Sequence, residues 1–135
     1  MENRELIKLA LEARKNSYSP YSLFRVGAAL LTKSGKVYTG CNIENSAFSP
    51  TVCAERTAIF KAVSEGEREF VKIAVAGGKG KIPDNYAYPC GVCRQVMQEF
   101  CSPDFKIITA TSPDDYDVKS LKDLLPESFG AGNLK

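Results

Sequence analysis

Three cysteines in two short clusters, in a chain with no histidine, place the first constraint on the fold: Cys53-Ala54-Glu55 and Pro89-Cys90-Gly91-Val92-Cys93. Cys90 and Cys93 stand three residues apart, so on a helix they share a face and their sulfurs can converge on one ion. Cys53 joins them only if the fold brings two distant segments together. Three thiolates around Zn²⁺ leave its fourth position open, as in catalytic zinc sites, whereas structural sites fill all four with protein. Glu55, just past the first thiol, is the carboxylate placed to move protons at such an ion. The lack of histidine also removes Ser-His and Cys-His nucleophilic catalysis.

The hydrophobic pattern places both clusters where a loop passes into a helix. Leu6, Ile7, Ala10, Leu11 and Ala13 predict a helix over about Arg4–Arg14, broken by Asn16-Ser17-Tyr18-Ser19-Pro20. Two apolar runs, Arg25–Leu31 and Val37–Ile43, flank Lys33-Ser34-Gly35-Lys36 and predict a hairpin. Further expected elements are helices over Cys53–Ser64 and Gly91–Phe100, strands over Val71–Ala76 and Lys106–Thr111, and a short helix over Val118–Leu125. Both cysteine clusters thus meet helix N-termini, whose dipoles and free N–H groups favour thiolates. One sheet with helices on its faces follows from this order. At 135 residues the chain, 1–135, fits one domain.

Composition narrows the partners. A net charge of +2 offers no electrostatic footprint for nucleic acid or for a membrane surface. No apolar run is long enough to span a bilayer, and the charged start Met1-Glu2-Asn3-Arg4-Glu5 has no secretory character. Five cysteines, an odd number, fit a complete disulfide framework poorly. The expected setting is the cytoplasm, where clustered thiols serve metal or catalysis.

Three thiolates overbalance a divalent ion, so a permanent cation beside the sulfurs is expected. Arg56 and Arg94, each next to a cluster residue, are the candidates. Asn42 and Glu44 lie two apart in an extended segment and therefore face the same way. Together they can hold the hydroxyls of one sugar. Cys41 and Cys101 sit in apolar settings without ligand spacing, which fits core packing.

At these residues the chain closely resembles the small homotetrameric cytidine deaminases of nucleoside salvage. The likeness runs through Phe24-Arg25-Val26-Gly27-Ala28-Ala29-Leu30-Leu31-Thr32, Gly40-Cys41-Asn42-Ile43-Glu44-Asn45 and Cys53-Ala54-Glu55-Arg56-Thr57-Ala58. It continues through Pro89-Cys90-Gly91-Val92-Cys93-Arg94-Gln95, Leu124-Leu125-Pro126 and Ser128-Phe129-Gly130. The resemblance implies a three-layer α/β/α fold around a five-stranded mixed sheet. It implies hydrolytic loss of ammonia from cytidine and deoxycytidine, giving uridine and deoxyuridine. By the same analogy Cys53, Cys90 and Cys93 hold zinc, Glu55 shuttles protons and Arg56 hydrogen-bonds the thiolates. Asn42 and Glu44 take the ribose, Phe24 lines the nucleoside pocket, and the backbone at Ala54 meets the base. A homotetramer with composite active sites is implied too, Phe129 being supplied in trans. Two positions depart from the pattern: Phe48, where tyrosine is common and contacts the sugar across a subunit boundary, and Tyr88, where serine often precedes Pro-Cys.

Other readings stay open at the level of sequence. A deaminase of this size acting on another substrate, such as a blasticidin-S deaminase, shares the metal chemistry. A non-catalytic zinc module needs a fourth protein ligand, for which Cys41 or Cys101 is available, and leaves Glu55 without a task. A thiol-redox role accounts for Cys90 and Cys93 only.

Overall fold

Strand β1 (Arg25–Thr32) is buried over its last six residues. Such a run marks a strand covered on both faces, and the computed structural model, which describes residues 1–135, places it inside the sheet. Alternation along β1 divides the core in two. Ala28 and Leu30 face one side, with Ile73, Val75 and Ile107; Ala29 and Leu31 face the other, with Ala74, Ala76 and Ile108. Helix α1 (Asn3–Arg14) covers the second side with Leu6, Ile7 and Ala10. Helix α2 (Ala54–Ser64) covers the first side with Ala58, Ile59 and Ala62, joined by Met97 of α3 (Gly91–Phe100). Each fully buried Leu or Ile contributes about 1.5–3 kcal/mol, so both helical layers are held by apolar contact.

The remaining strands are β2 (Val37–Cys41), β3 (Phe70–Gly78), β4 (Lys106–Ser112) and β5 (Asp115–Ser120). The sheet order is β2-β1-β3-β4-β5, with β3 and β4 parallel and the other neighbours antiparallel. This is the three-layer arrangement around a five-stranded mixed sheet that the resemblance implies. Parallel neighbours need a crossover, and the β3–β4 connection carries α3 and hence Cys90 and Cys93. Across the hairpin, Gly40 of β2 faces α2 at very close range. A Cβ on Gly40 would lie 2.6 Å from both Ala54 O and Ala58 N. That contact seats the first turn of α2, with Cys53 just before it, hard against the sheet.

Two expected elements differ. The second hairpin strand ends at Cys41 rather than Ile43; beyond it Ile43 makes single bridges to Tyr18 and Val52. The short helix expected over Val118–Leu125 is in fact the end of β5 followed by one helical turn, α4 (Leu121–Leu124). Ser120 caps that turn by accepting from Asp123 N, and the Asp123 carboxylate accepts in return from Ser120 N. No helix is long and apolar enough to cross a membrane.

Candidate active site

Cys53 and Cys90 occupy the same structural position twice: each is the extended N-cap residue of its helix, α2 or α3. Cys93 follows in the first turn of α3 and is fully buried. The three sulfurs lie within 4.8 Å of one another, and Cys53 Sγ stands 3.6 Å from Cys90 Sγ. Two helix N-termini therefore aim their positive ends at one cluster. Arg56, one turn into α2, donates from Nη2 to Cys53 Sγ at 3.5 Å. The Cys53 thiol is drawn down to about 5, chiefly by its hydrogen bond with Cys93 and then by Arg56, against the effect of burial. The same contact and burial push Cys93 upward. Three soft sulfur donors that share protons so closely fit zinc, which replaces those protons when it binds. Cys41 and Cys101 stand outside the cluster, and burial pushes Cys101 up to about 12.

Of the two candidates for the cation at the sulfurs, Arg56 makes the contact and Arg94 bonds elsewhere. Its Nε donates to Pro89 O and its Nη1 to Leu124 O, both at 2.7 Å. Two orphan carbonyls, one just before α3 and one at the end of α4, claim the guanidinium and turn it into a pin for the loop.

Glu55 is buried, 4 % exposed, and burial lifts its carboxyl to about 7, with the negative charge of Cys53 adding to the effect. It opens onto a cleft of about 360 Å³ that Cys53 and Cys90 also line, a volume suited to one small ligand. Phe24, Val26, Val75, Ala87 and Tyr88 give the cleft apolar walls, while Asn42, Glu44 and Ser22 give it a polar part. Gly77, at the end of β3, lets the walls close: a Cβ there would meet Phe24 Cε2 and Ala87 Cβ, each at 3.1 Å.

Asn42 and Glu44 share the cleft, as their spacing predicts, and both are already anchored. Asn42 Nδ2 donates to Phe24 O at 2.7 Å, and its Oδ1 accepts from Val26 N at 2.9 Å and from Ser17 Oγ. One amide hydrogen is left over. Glu44 accepts from the backbone N–H groups of Tyr21 and Ser22 and from Ser22 Oγ. The Ser22 hydroxyl above all holds the Glu44 carboxyl below its ordinary value, so it is ionised near neutrality. Ser17 and Ser22 escaped the reading of the sequence. Ser17 registers there only within the helix break Asn16–Pro20 and Ser22 lies just beyond it, though Ser and Asn clusters also mark local side chain–backbone bonding.

Ala54 is fully buried in the core, and its N–H belongs to the first turn of α2, where amides lack helical acceptors. Phe48 and Phe129 do not line the cleft of their own chain. Phe48 is 72 % exposed, with φ 62, and rests edge-on against Tyr21 at 6.3 Å. Phe129 is 59 % exposed, its carbonyl accepting from Gln95 Nε2 at 2.8 Å.

Known proteins resemble this chain in sequence and fold. The family model described as the cytidine and deoxycytidylate deaminase zinc-binding region matches residues 1–109. A cytidine deaminase of Halalkalibacterium halodurans is 48 % identical over 99 % of this chain and 98 % of its own. One from Sporosarcina psychrophila is 46 % identical over 99 % and 96 %. The crystal structure of a cytidine deaminase from Burkholderia pseudomallei superposes with a TM-score of 0.88 at 45 % identity, over 96 % of this chain and all of that one. The sulfur cluster, the buried carboxyl and these likenesses agree: the chain belongs to the cytidine and deoxycytidylate deaminase family.

Proposed function

We propose that this chain hydrolyses cytidine to uridine and ammonia with zinc as cofactor, and that residues 1–135 form one deaminase domain serving pyrimidine salvage. Deoxycytidine is the second substrate of this reading. The observation that carries it is the buried carboxyl of Glu55 beside three converging sulfurs, in a cleft of nucleoside size. Cys53, Cys90 and Cys93 hold the zinc, which supplies the Lewis acidity that makes water a nucleophile at neutral pH. Glu55 takes one proton of the attacking water and delivers it to N3 of the pyrimidine. It then takes the proton of the new C4 hydroxyl and passes it to the 4-amino group, which leaves as ammonia as the C4–N bond breaks and C4=O forms. Burial suits it to this cycle, because a carboxyl near 7 both accepts and returns a proton. Phe24 and its neighbours hold the base, with the Ala54 amide as a polar contact. Glu44 accepts from ribose hydroxyls, and the spare amide hydrogen of Asn42 donates to them. All five cysteines are free, which suits a reducing cytoplasm.

Ammonia release from cytidine, deoxycytidine and blasticidin S, with and without a zinc chelator, tests this reading. Chelator-sensitive release from the two nucleosides is expected, with blasticidin S inert. A zinc-loaded chain that leaves cytidine intact overturns it.

Arg56 acts here by offsetting the negative charge of the sulfurs through its bond to Cys53. Arg56→Gln should slow turnover by about 10- to 100-fold, the range for partners of metal ligands. The rising limb of its pH–rate profile should move to higher pH, since a more anionic cluster makes the nucleophilic water harder to deprotonate. A wild-type profile would relegate Arg56 to packing.

The reading includes a homotetramer in which Phe129, and Phe48 at another boundary, complete a neighbour's site. Their exposure on the isolated chain supports it, because an aromatic ring gains by burial. Phe129→Ala should lower activity at least tenfold, about 1.4 kcal/mol of lost transition-state binding. Dissociating and reassembling it with a Glu55→Gln chain should restore part of the loss. The second chain lends its Phe129 to the sound metal site of the first. No gain over Phe129→Ala alone would show that each site is built from one chain.

A further inference from the structure

Tyr86 and Tyr88 are two apart in the loop before α3, and Asp115 and Asp117 are two apart on the edge strand β5. They meet as two parallel rungs. Tyr86 Oη donates to Asp115 Oδ1, and Tyr88 Oη to Asp117 Oδ2, both at 2.5 Å. The rings stack edge to face at 6.5 Å. Asp115 also accepts from Thr111 Oγ1 at 2.5 Å, and Asp117 lies 3.8 Å from Lys119 Nζ. Chemically the rungs are alike, but only Tyr88 lines the cleft, next to Ala87 and Cys90.

We infer that the Tyr88–Asp117 rung is a positioning device for the substrate cleft, resting on the deaminase reading above, while the Tyr86–Asp115 rung only docks the loop. One residue, Pro89, separates Tyr88 from Cys90. Proline holds its own φ and confines the residue before it, so Tyr88 and Cys90 are stiffly linked. Arg94 fixes the same link from the other side through Pro89 O. The Tyr88 ring, tethered at its hydroxyl, forms a stationary part of the wall of the cleft that Phe24 also lines. Freed from Asp117 it turns about two side-chain torsions, and the cleft loses a face that was ordered before substrate arrived.

The test is steady-state kinetics on zinc-loaded full-length variants with cytidine. Tyr88→Phe keeps the ring and removes the tether; KM should rise about five- to tenfold with kcat within about twofold. Asp117→Ala should reproduce that change, and Asp117→Asn, which keeps an acceptor oxygen, should recover most of it. The double variant Tyr88→Phe/Asp117→Ala should be no worse than the weaker single one, as expected for two halves of one contact. Tyr86→Phe loses a bond of the same kind and should leave KM within about twofold of wild type. An unshifted KM in Tyr88→Phe overturns the inference. So does an equal rise in Tyr86→Phe, which would make the loop's general docking the cause. If Tyr88→Phe does not fold, the difference between Asp117→Ala and Asp117→Asn decides instead. A wild-type chain inert toward cytidine overturns the deaminase reading and this inference together; an active wild type with unshifted variants overturns only the latter.

Discussion

Glu55→Gln is expected to keep its zinc and its fold and to lose turnover of cytidine by on the order of 10³-fold, within the range that a positioned acid–base group supplies. Glutamine fills the same space and retains an acceptor, but it can neither take a proton from water nor return one to N3. Zinc content and single-turnover rates measured on the same preparation separate the two effects. Near-normal turnover at full zinc occupancy would remove Glu55 from the chemistry. Stability should respond in the opposite sense. Burial raises the Glu55 carboxyl from 4.5 to about 7, so the folded chain holds a proton that the unfolded chain has released in that window. Wild-type stability from this group is full below pH 4.5 and declines as pH rises through 7. Compared with both chains metal-free, the glutamine variant has no such loss, and its melting temperature relative to wild type should climb across that interval.

Cys93→Ala should abolish both metal and activity. Cys93 is the innermost sulfur, fully buried on the first turn of α3. Its removal leaves two thiolates and a small void. Zinc after gel filtration should fall from about one per chain to below about one in ten, with cytidine turnover at background, because a three-thiolate site has no reserve ligand. Cys101→Ala makes the contrasting case. That half-buried thiol stands outside the cluster; its loss should cost about 1 kcal/mol of packing and leave zinc and turnover as they were. Retention of zinc by Cys93→Ala would mean that another ligand had taken its place.

The two cysteine clusters were legible because metal chemistry demands particular atoms, and their spacing survives in any fold that closes the site. Helices α1, α2 and α3 were also legible; α1 buries Leu6, Ile7 and Ala10, α2 Ala58, Ile59 and Ala62, and α3 Cys93 and Met97. Strand β5 was not. None of its residues is fully buried, and Val118, Leu121, Leu124 and Leu125 recur at a spacing that imitates a helix. Pairing with β4 makes the strand, and pairing is a tertiary fact. The one local sign of where the helix begins is the Ser120–Asp123 box, the sort of cap that ends a strand and starts a turn. Arg94 was misplaced for a related reason. Adjacency to Cys93 suggested a thiolate partner, yet its acceptors belong to Pro89 and Leu124, and Leu124 is thirty residues away. The Ser17–Asn42 and Ser22–Glu44 bonds likewise span gaps that periodicity cannot see.

Cys53 leads one helix, Cys90 and Cys93 lead another, and Cys90 follows Cys53 at a separation of 37 positions along the chain. An ion shared by them is therefore a cross-link as well as a reagent. A covalent bridge over a loop of that size would stabilise a chain by about 4 kcal/mol through the unfolded state, and a metal bridge adds its own mass-action term. An ion held there would rivet the hairpin with α2 on one side to the β3–β4 crossover on the other, at the proposed site of the chemistry. Heat resistance of this protein should accordingly track free zinc concentration, and scarcity of the metal would weaken the scaffold along with the reaction.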